Sequence, residues 1–246
     1  MDSQRIISWV WKAAGLNTPL CGPGILYLQG VIFKRNPSRA LVIFQKSAAQ
    51  GYADAENNIG GIWDTGEKVG LDYKKSIYWY QRAANRGHIH AQYNTGIMYK
   101  NGQGIHKNYK KAVEWYRKAA EKGQVLAQSN LGYMYLHGLG VSKNYSESLF
   151  WYNKAASKEN STAENSLGMI YQKGLGVEQD YQTAIYWFRR AADHGKALAC
   201  KNLGIMFENG LGVNQSCELA IKWYPEHSGR VPLPWPHPCH HHPRSC

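Results

Sequence analysis

Apolar residues return along this chain in two nested rhythms. Within a dozen residues they fall at i, i+3, i+4 and i+7, the spacing that turns one face of a helix toward a core. Tyr109, Ala112, Val113, Tyr116 and Ala119-Ala120 form one such run. The run itself then recurs. Trp79, Trp115, Trp151, Trp187 and Trp223 are each 36 residues apart, and Ala55, Ala91, Ala127, Ala163 and Ala199 keep the same period. A fixed period of this length is the mark of a repeat architecture built from one supersecondary unit.

Each unit predicts two helices. In the first, small or apolar residues stand at unit positions 1, 5, 6 and 9, as in Ala91, Thr95, Gly96 and Tyr99. A glycine pair such as Gly102 and Gly104 is expected to end that helix through positive φ. The second helix should begin after Asp72, Asn108, Asn144, Asp180 and Ser216, whose side-chain oxygens can accept the orphan N–H groups of a first turn. Gly123 and its equivalents suit the left-handed position that stops it, and Glu159 replaces that glycine in one unit. A degenerate earlier copy keeps the register through Gly24, Tyr27, Gly30, Ala40, Phe44, Ala48 and Gly51. One helix pair cannot bury its own apolar face, so neighbouring units must stack. The expected fold is all-α, an α/α superhelical solenoid of 36-residue helix pairs. Its organisation is read as an N-terminal segment over 1–18, a degenerate first repeat over 19–54, an array over 55–224 with its last unit incomplete, and a Pro/His-rich tail over 225–246.

The signature A-x-x-x-L-G-x-x-Y-x-x-G-x-G-V, followed by N/D-Y-x-x-A-x-x-W-Y-x-x-A-A, resembles the Sel1-like repeat, a relative of the tetratricopeptide repeat. The likeness is strong over 55–224 and weak over 19–54. Lys68 departs from it at the second loop glycine and Cys217 at the tyrosine. The resemblance implies a right-handed α/α superhelix that serves as an adaptor or scaffold. Relatives act in endoplasmic-reticulum-associated degradation, in activation of fungal chitin synthase and in bacterial host interaction. The matching residues are structural, so the resemblance carries a fold and a class of function and names no partner.

Composition narrows the chemistry. The chain has 246 residues and a formal net charge of +12. Basic residues alternate with acidic ones along the repeats, so no nucleic-acid partner is expected. No run of about 20 apolar residues predicts a membrane span. The N-terminus lacks a convincing secretory signal, so the expected compartment is the cytoplasm, with the secretory lumen as the alternative. Three sequons, at Asn144, Asn160 and Asn214, would matter only in that alternative. The Gly-x-Gly pairs lack the Lys-Ser/Thr of a phosphate loop. No Ser-x-x-Lys or Gly-x-Ser-x-Gly motif occurs, and acidic residues show no recurring pair for acid/base work. Cys200 and Cys217 should lie a helix length apart, roughly 15 Å, beyond disulfide reach. The tail offers His237, Cys239, His240, His241, His242 and Cys246, but no separated ligand pairs frame a metal site there. No cofactor, metal or catalytic residue is assigned.

Interaction residues follow from the helix wheel. On the first helix, positions 3, 7 and 10 lie opposite the core positions 5, 6 and 9. Position 7 carries the apolar ladder Ile97, Tyr133, Met169 and Ile205, flanked by Tyr93 at position 3 and by Lys100, Leu136 and Gln172 at position 10. Exposed, this is a hydrophobic strip with a polar rim; otherwise it is packing between neighbouring first helices. The leading expectation is a non-enzymatic scaffold that holds a peptide or partner domain on the concave face of the array. An adaptor subunit in endoplasmic-reticulum-associated degradation or a chitin-synthase-activator-like regulator is the alternative, and a repeat-type hydrolase ranks after both.

Overall fold

The computed structural model describes residues 22–30 and 34–224. Among them are twelve helices and no strand. They alternate as first and second helices of six pairs: α1 (Gly22–Gln29) with α2 (Pro37–Ala49), α3 (Ala53–Thr65) with α4 (Tyr73–Asn85), α5 (Ile89–Asn101) with α6 (Tyr109–Glu121), α7 (Val125–His137) with α8 (Tyr145–Ala156), α9 (Ser161–Lys173) with α10 (Tyr181–Asp193), and α11 (Ala197–Glu208) with α12 (Cys217–Trp223). The pairs form two compact units, one up to Gln124 holding α1 to α6 and one from Val125 holding α7 to α12. Within each unit every helix packs on the next in sequence. No helix of the described residues is long and apolar enough to cross a membrane. The segment 1–18, the tail from Pro225 and the cysteines Cys21, Cys239 and Cys246 lie outside the described residues.

The local signals act as the sequence requires. All five expected N-caps accept a backbone N–H, for example Lys75 N to Asp72 Oδ1 at 3.0 Å and Glu147 N to Asn144 Oδ1 at 3.0 Å. Asn36 does the same for Arg39 N, a sixth cap in the degenerate copy that the sequence reading passed over. These bonds favour the charged form of the caps. Backbone donation from Lys75 holds the Asp72 carboxyl below its usual range, and the Thr183 hydroxyl and N–H do so for Asp180. The backbone N–H of each cap residue also donates to the last inward-facing aromatic of the helix before it, as in Asn108 N to Tyr99 O at 2.8 Å. One residue thus starts the second helix and ties the loop to the first.

The loop glycines are needed on two counts. Gly102 closes α5 at φ 75°, where its N–H reaches Met98 O. Gly104 also has φ 69°, and a Cβ there would run into the carbonyl of Tyr73. Lys68 stands in the place of Gly104 at φ 60° and Glu159 in that of Gly123 at φ 59°, the two non-glycine residues in left-handed conformation among those described.

The core repeats with the helices. Position 5 holds Ile59, Thr95, Leu131, Leu167 and Leu203, all fully buried. Position 6 is a helical glycine against an aromatic of the paired helix: Gly24 on Phe44, Gly60 on Tyr80, Gly96 on Tyr116, Gly132 on Tyr152, Gly168 on Phe188 and Gly204 on Tyr224. A Cβ at any of these would lie 2.5–2.9 Å from the ring, inside contact distance. The absent side chain lets the helices close on the ring. Burial pushes the hydroxyls of Tyr80 and Tyr116 well above the usual phenol range, and that of Tyr152 up to about 12. Position 8, with Ile62, Met98, Met134, Ile170 and Met206, is equally buried. The sequence reading left that column out of the core, although it lies about 20° from core position 1 on the wheel.

Cys200 and Cys217 form no disulfide. They stand in α11 and at the first residue of α12, as the helix-length argument expects.

Candidate functional site

The ladder residues all lie on first helices, and their surroundings differ. In the unit up to Gln124, Ile97 and Lys100 of α5 are half-buried. Tyr93, also half-buried, stands with its ring centroid 5.9 Å from that of Tyr116. In the unit from Val125, Tyr133 of α7 is 43% exposed and its ring lies 4.3 Å from His137. Met169 of α9 is half-buried against the core of α10 and α11. Ile205 of α11 is half-buried against Phe207, Ala220 and Tyr224. Leu136 packs toward the cluster around Tyr152 and Leu167, and Gln172 Nε2 donates to Met206 Sδ at 3.4 Å. Of the four apolar rungs, Tyr133 is therefore the most exposed.

Hydrogen bonds also join consecutive first helices. Asn94 Nδ2 donates to Asn57 Oδ1 at 3.3 Å, and Asn202 Nδ2 to Asn165 Oδ1 at 2.9 Å. Asn165 in turn donates to Met169 Sδ at 3.8 Å and is itself buried. Position 3 thus serves the joint between repeats at these places and is not free groove lining.

Two features lay outside the sequence reading. The first is a column of exposed rings on the second helices: Tyr78, Phe150 and Tyr186, each edge-on to the tryptophan that follows it. In four repeats a cation one turn on lies over the tryptophan, with Arg82 4.8 Å from Trp79, Lys118 4.1 Å from Trp115, Lys154 5.1 Å from Trp151 and Arg190 5.4 Å from Trp187. Such contacts fix the long side chains and cover the indoles.

The second is a set of buried polar residues at position 2. Acidic residues do recur at this one place. Glu56 and Glu164 are fully buried there, and their counterparts Gln92 and Gln128 nearly so. Each glutamate faces basic side chains of its own repeat and not a second carboxylate. Glu56 Oε1 lies 3.0 Å from Arg82 Nη2 and its Oε2 3.4 Å from Arg86 Nε. Glu164 Oε1 lies 3.1 Å from Arg190 Nη2 and its Oε2 2.7 Å from His194 Nδ1. The signal was in the sequence as Glu, Gln, Gln, Glu at a fixed period beside core position 9 on the wheel; the fold adds which side chains meet it. Among the described residues no group of three or more His, Cys, Asp or Glu could hold a metal ion, and the tail set from His237 to Cys246 lies outside them.

Comparison with known proteins gives the same architecture. The Sel1 repeat model matches six segments, 21–52, 53–88, 89–124, 125–160, 161–196 and 197–224. A search of curated proteins returned no match. Among solved structures, the chain is 32% identical to c5321, a protective antigen of uropathogenic Escherichia coli with an SLR fold, over 88% of this chain at a TM-score of 0.78. It spans 46% of the length of that protein. A Sel1 repeat protein from Oxalobacter formigenes is 31% identical over 83% of this chain and 84% of its own, at a TM-score of 0.75. A looser likeness, 20% identity over 90% of each chain at a TM-score of 0.54, joins it to the immunity protein PA5088 from Pseudomonas aeruginosa and extends to the fold alone.

Proposed function

The chain belongs to the Sel1 repeat family, and from that premise we propose that it is a non-enzymatic scaffold that holds a protein or peptide partner on its first helices. The observation that supports this reading is Tyr133. It is a large ring left 43% exposed at a position whose counterparts Met169 and Ile205 continue the apolar strip on α9 and α11. Aromatic side chains of this kind anchor interfaces because they bury much area with few rotatable bonds. Ile97 stands at the same position in α5. Tyr93, Lys100, Leu136 and Gln172 are the proposed flanking residues.

The test is affinity capture with the folded protein. Tyr133→Asp places a charge on the strip without touching the buried core. Tyr186→Asp does the same on a second helix. Proteins retained by the parent should be lost from Tyr133→Asp and kept by Tyr186→Asp, with unchanged helicity in both. Equal capture by all three would remove the strip from the binding surface.

A further inference from the structure

Three joints between repeats share one contact. The tryptophan of a second helix packs on the alanine pair that ends the second helix before it. Trp115 packs on the cluster of Ala83 and Ala84, Trp187 on that of Ala155 and Ala156, and Trp223 on that of Ala191 with Ala192. A further contact reaches the next first helix: Gln81, two residues after Trp79, donates from Nε2 to Tyr99 Oη at 2.9 Å. In the pair of α1 and α2 the counterparts of Trp115 and Tyr99 are Ile43 and Tyr27. Both are half-buried, and no described residue precedes α1 to meet them. They line an open cleft of about 520 Å³ with Asn36, Ser38, Arg39 and the exposed Val42.

A segment suited to that face is written in the residues before α1. The second helices share an apolar residue, then Trp two residues on, an aromatic, a cation and an alanine pair. In α4 these are Ile77, Trp79, Tyr80, Arg82 and Ala83-Ala84, and in α10 Ile185, Trp187, Phe188, Arg190 and Ala191-Ala192. Ile7, Trp9, Val10, Lys12 and Ala13-Ala14 repeat this at the same spacing. Val10 is the departure. The aromatic it replaces seats on the glycine of its own first helix, whereas the alanines make the joint to the next repeat. Trp9 precedes Ile43 by 34 residues, two short of the period, and α1 is itself shorter than the other first helices. Seven residues separate Ala14 from α1, where four separate Ala84 from α5. Seven residues can span roughly 23 Å, well beyond the 8–10 Å or so between packed helices, so the connection allows the segment to lie against α2.

We propose that residues 5–14 dock on the end of α1 and α2 and cover Ile43 and Tyr27, as the second helix of one repeat covers the repeat that follows. Ala13-Ala14 meets Ile43, and Trp11, at the place of Gln81, meets Tyr27. Ser8 holds the place of the exposed rings Tyr78, Phe150 and Tyr186 and faces outward. An apolar end face left bare on a repeat array invites association, and a terminal cap prevents it. The chain's own segment is favoured over a second copy because a short tether holds it at an effective concentration of about millimolar. This surface involves α1 and α2 alone and is independent of the ladder proposed above.

The test is methyl NMR on the whole chain, with isoleucine and alanine methyls labelled. The Ile43 Cδ1 methyl should show nuclear Overhauser contacts to the methyls of Ala13 or Ala14. A sample of mixed labelled and unlabelled chains should show none between chains. Ala13→Asp with Ala14→Asp sets charges against the apolar face. It should move the Ile43 signal and speed hydrogen exchange of the α2 amides about tenfold or more, with the helices from α3 onward unchanged. Ser8→Asp, on the outward side, should alter neither. Absence of the contacts in the parent chain overturns the assignment, and contacts found only between chains assign the face to a second copy and overturn it too. So does an α2 whose exchange ignores the alanine pair, or one that responds equally to Ser8→Asp. The contacts in the parent chain are read without any variant, so a misfolded variant leaves the test intact.

Discussion

Two neighbouring glycines in α3 should respond with opposite signs to the same substitution. Alanine in a helix interior ordinarily gains about 1 kcal/mol over glycine. At Gly61 nothing opposes that gain, since an added Cβ meets only Tyr80 Oη at 3.6 Å, an ordinary contact. At Gly60 the added Cβ would sit 2.6 Å from Tyr80 Cδ1 and 2.8 Å from Cε1. Tyr80 is 5% exposed and cannot swing into solvent. Either the ring leaves its rotamer or α3 and α4 separate, and overpacking of this kind costs about 1–3 kcal/mol. Gly60→Ala is therefore expected to destabilise by about 2 kcal/mol and Gly61→Ala to stabilise by up to about 1 kcal/mol. At this chain length the melting temperature should fall by roughly 4–8 °C in the first case and rise by a few degrees in the second, followed by circular dichroism. A double-mutant cycle isolates the cause. With Tyr80→Leu the ring is gone, and Gly60→Ala should lose most of its penalty through a coupling of about 1–2 kcal/mol. A neutral or stabilising Gly60→Ala would refute the argument that glycine is there to admit the ring.

Gly123 has φ 89° with no atom within 4 Å of an added Cβ, and Glu159 holds the equivalent place at φ 59°, so Gly123→Ala should cost about 1 kcal/mol and Glu159→Gly recover a similar amount in urea denaturation, purely through the backbone. His88 accepts Ala91 N through Nδ1 at 3.1 Å and faces Asp54 Oδ1 at 3.0 Å, with His90 nearby; burial holds its pKa below the usual value, against the pull of Asp54. The unfolded chain thus takes up the proton first, so this stability is full above about pH 6.5 and declines as pH falls below it, and His88→Asn, a cap that does not titrate, should flatten that part of the pH profile. Glu56→Gln leaves Arg82 and Arg86 facing a neutral amide and should cost about 1–3 kcal/mol, a partial figure because both guanidinium groups are themselves partly in water; a change within error would show that the pair contributes no net stability.

Much of this protein is written locally. The caps at Asp72, Asn108, Asn144, Asp180 and Ser216 bind the N–H three residues on, and the loop glycines take positive φ. Both depend on a few adjacent residues, which is why a period of 36 residues, read from one column of tryptophans, is enough to place every helix pair from α3 onward. The period also implies that identical columns share an environment, and that held for positions 1, 5 and 6.

What lay beyond the sequence is what depends on the residue opposite. Positions 2 and 8 stand beside core positions 9 and 1 on the wheel, but a wheel drawn for one helix contains no next helix and so does not show what each side chain meets. Tyr133 reaches solvent where Met169 and Ile205 bury much of their length, since a half-buried position is decided by the shape of its neighbours and not by its own polarity. The contrast at position 2 is the sharpest case. Sequence alone shows Glu56 and Gln92 one period apart; the tertiary structure puts two arginines on the first, while beside the second Lys122 bonds Gly87 O and Lys118 lies over Trp115. A buried charge needs a counter-charge while a buried amide needs only hydrogen bonds, so a change from glutamate to glutamine separates a closed ion pair from an open cleft.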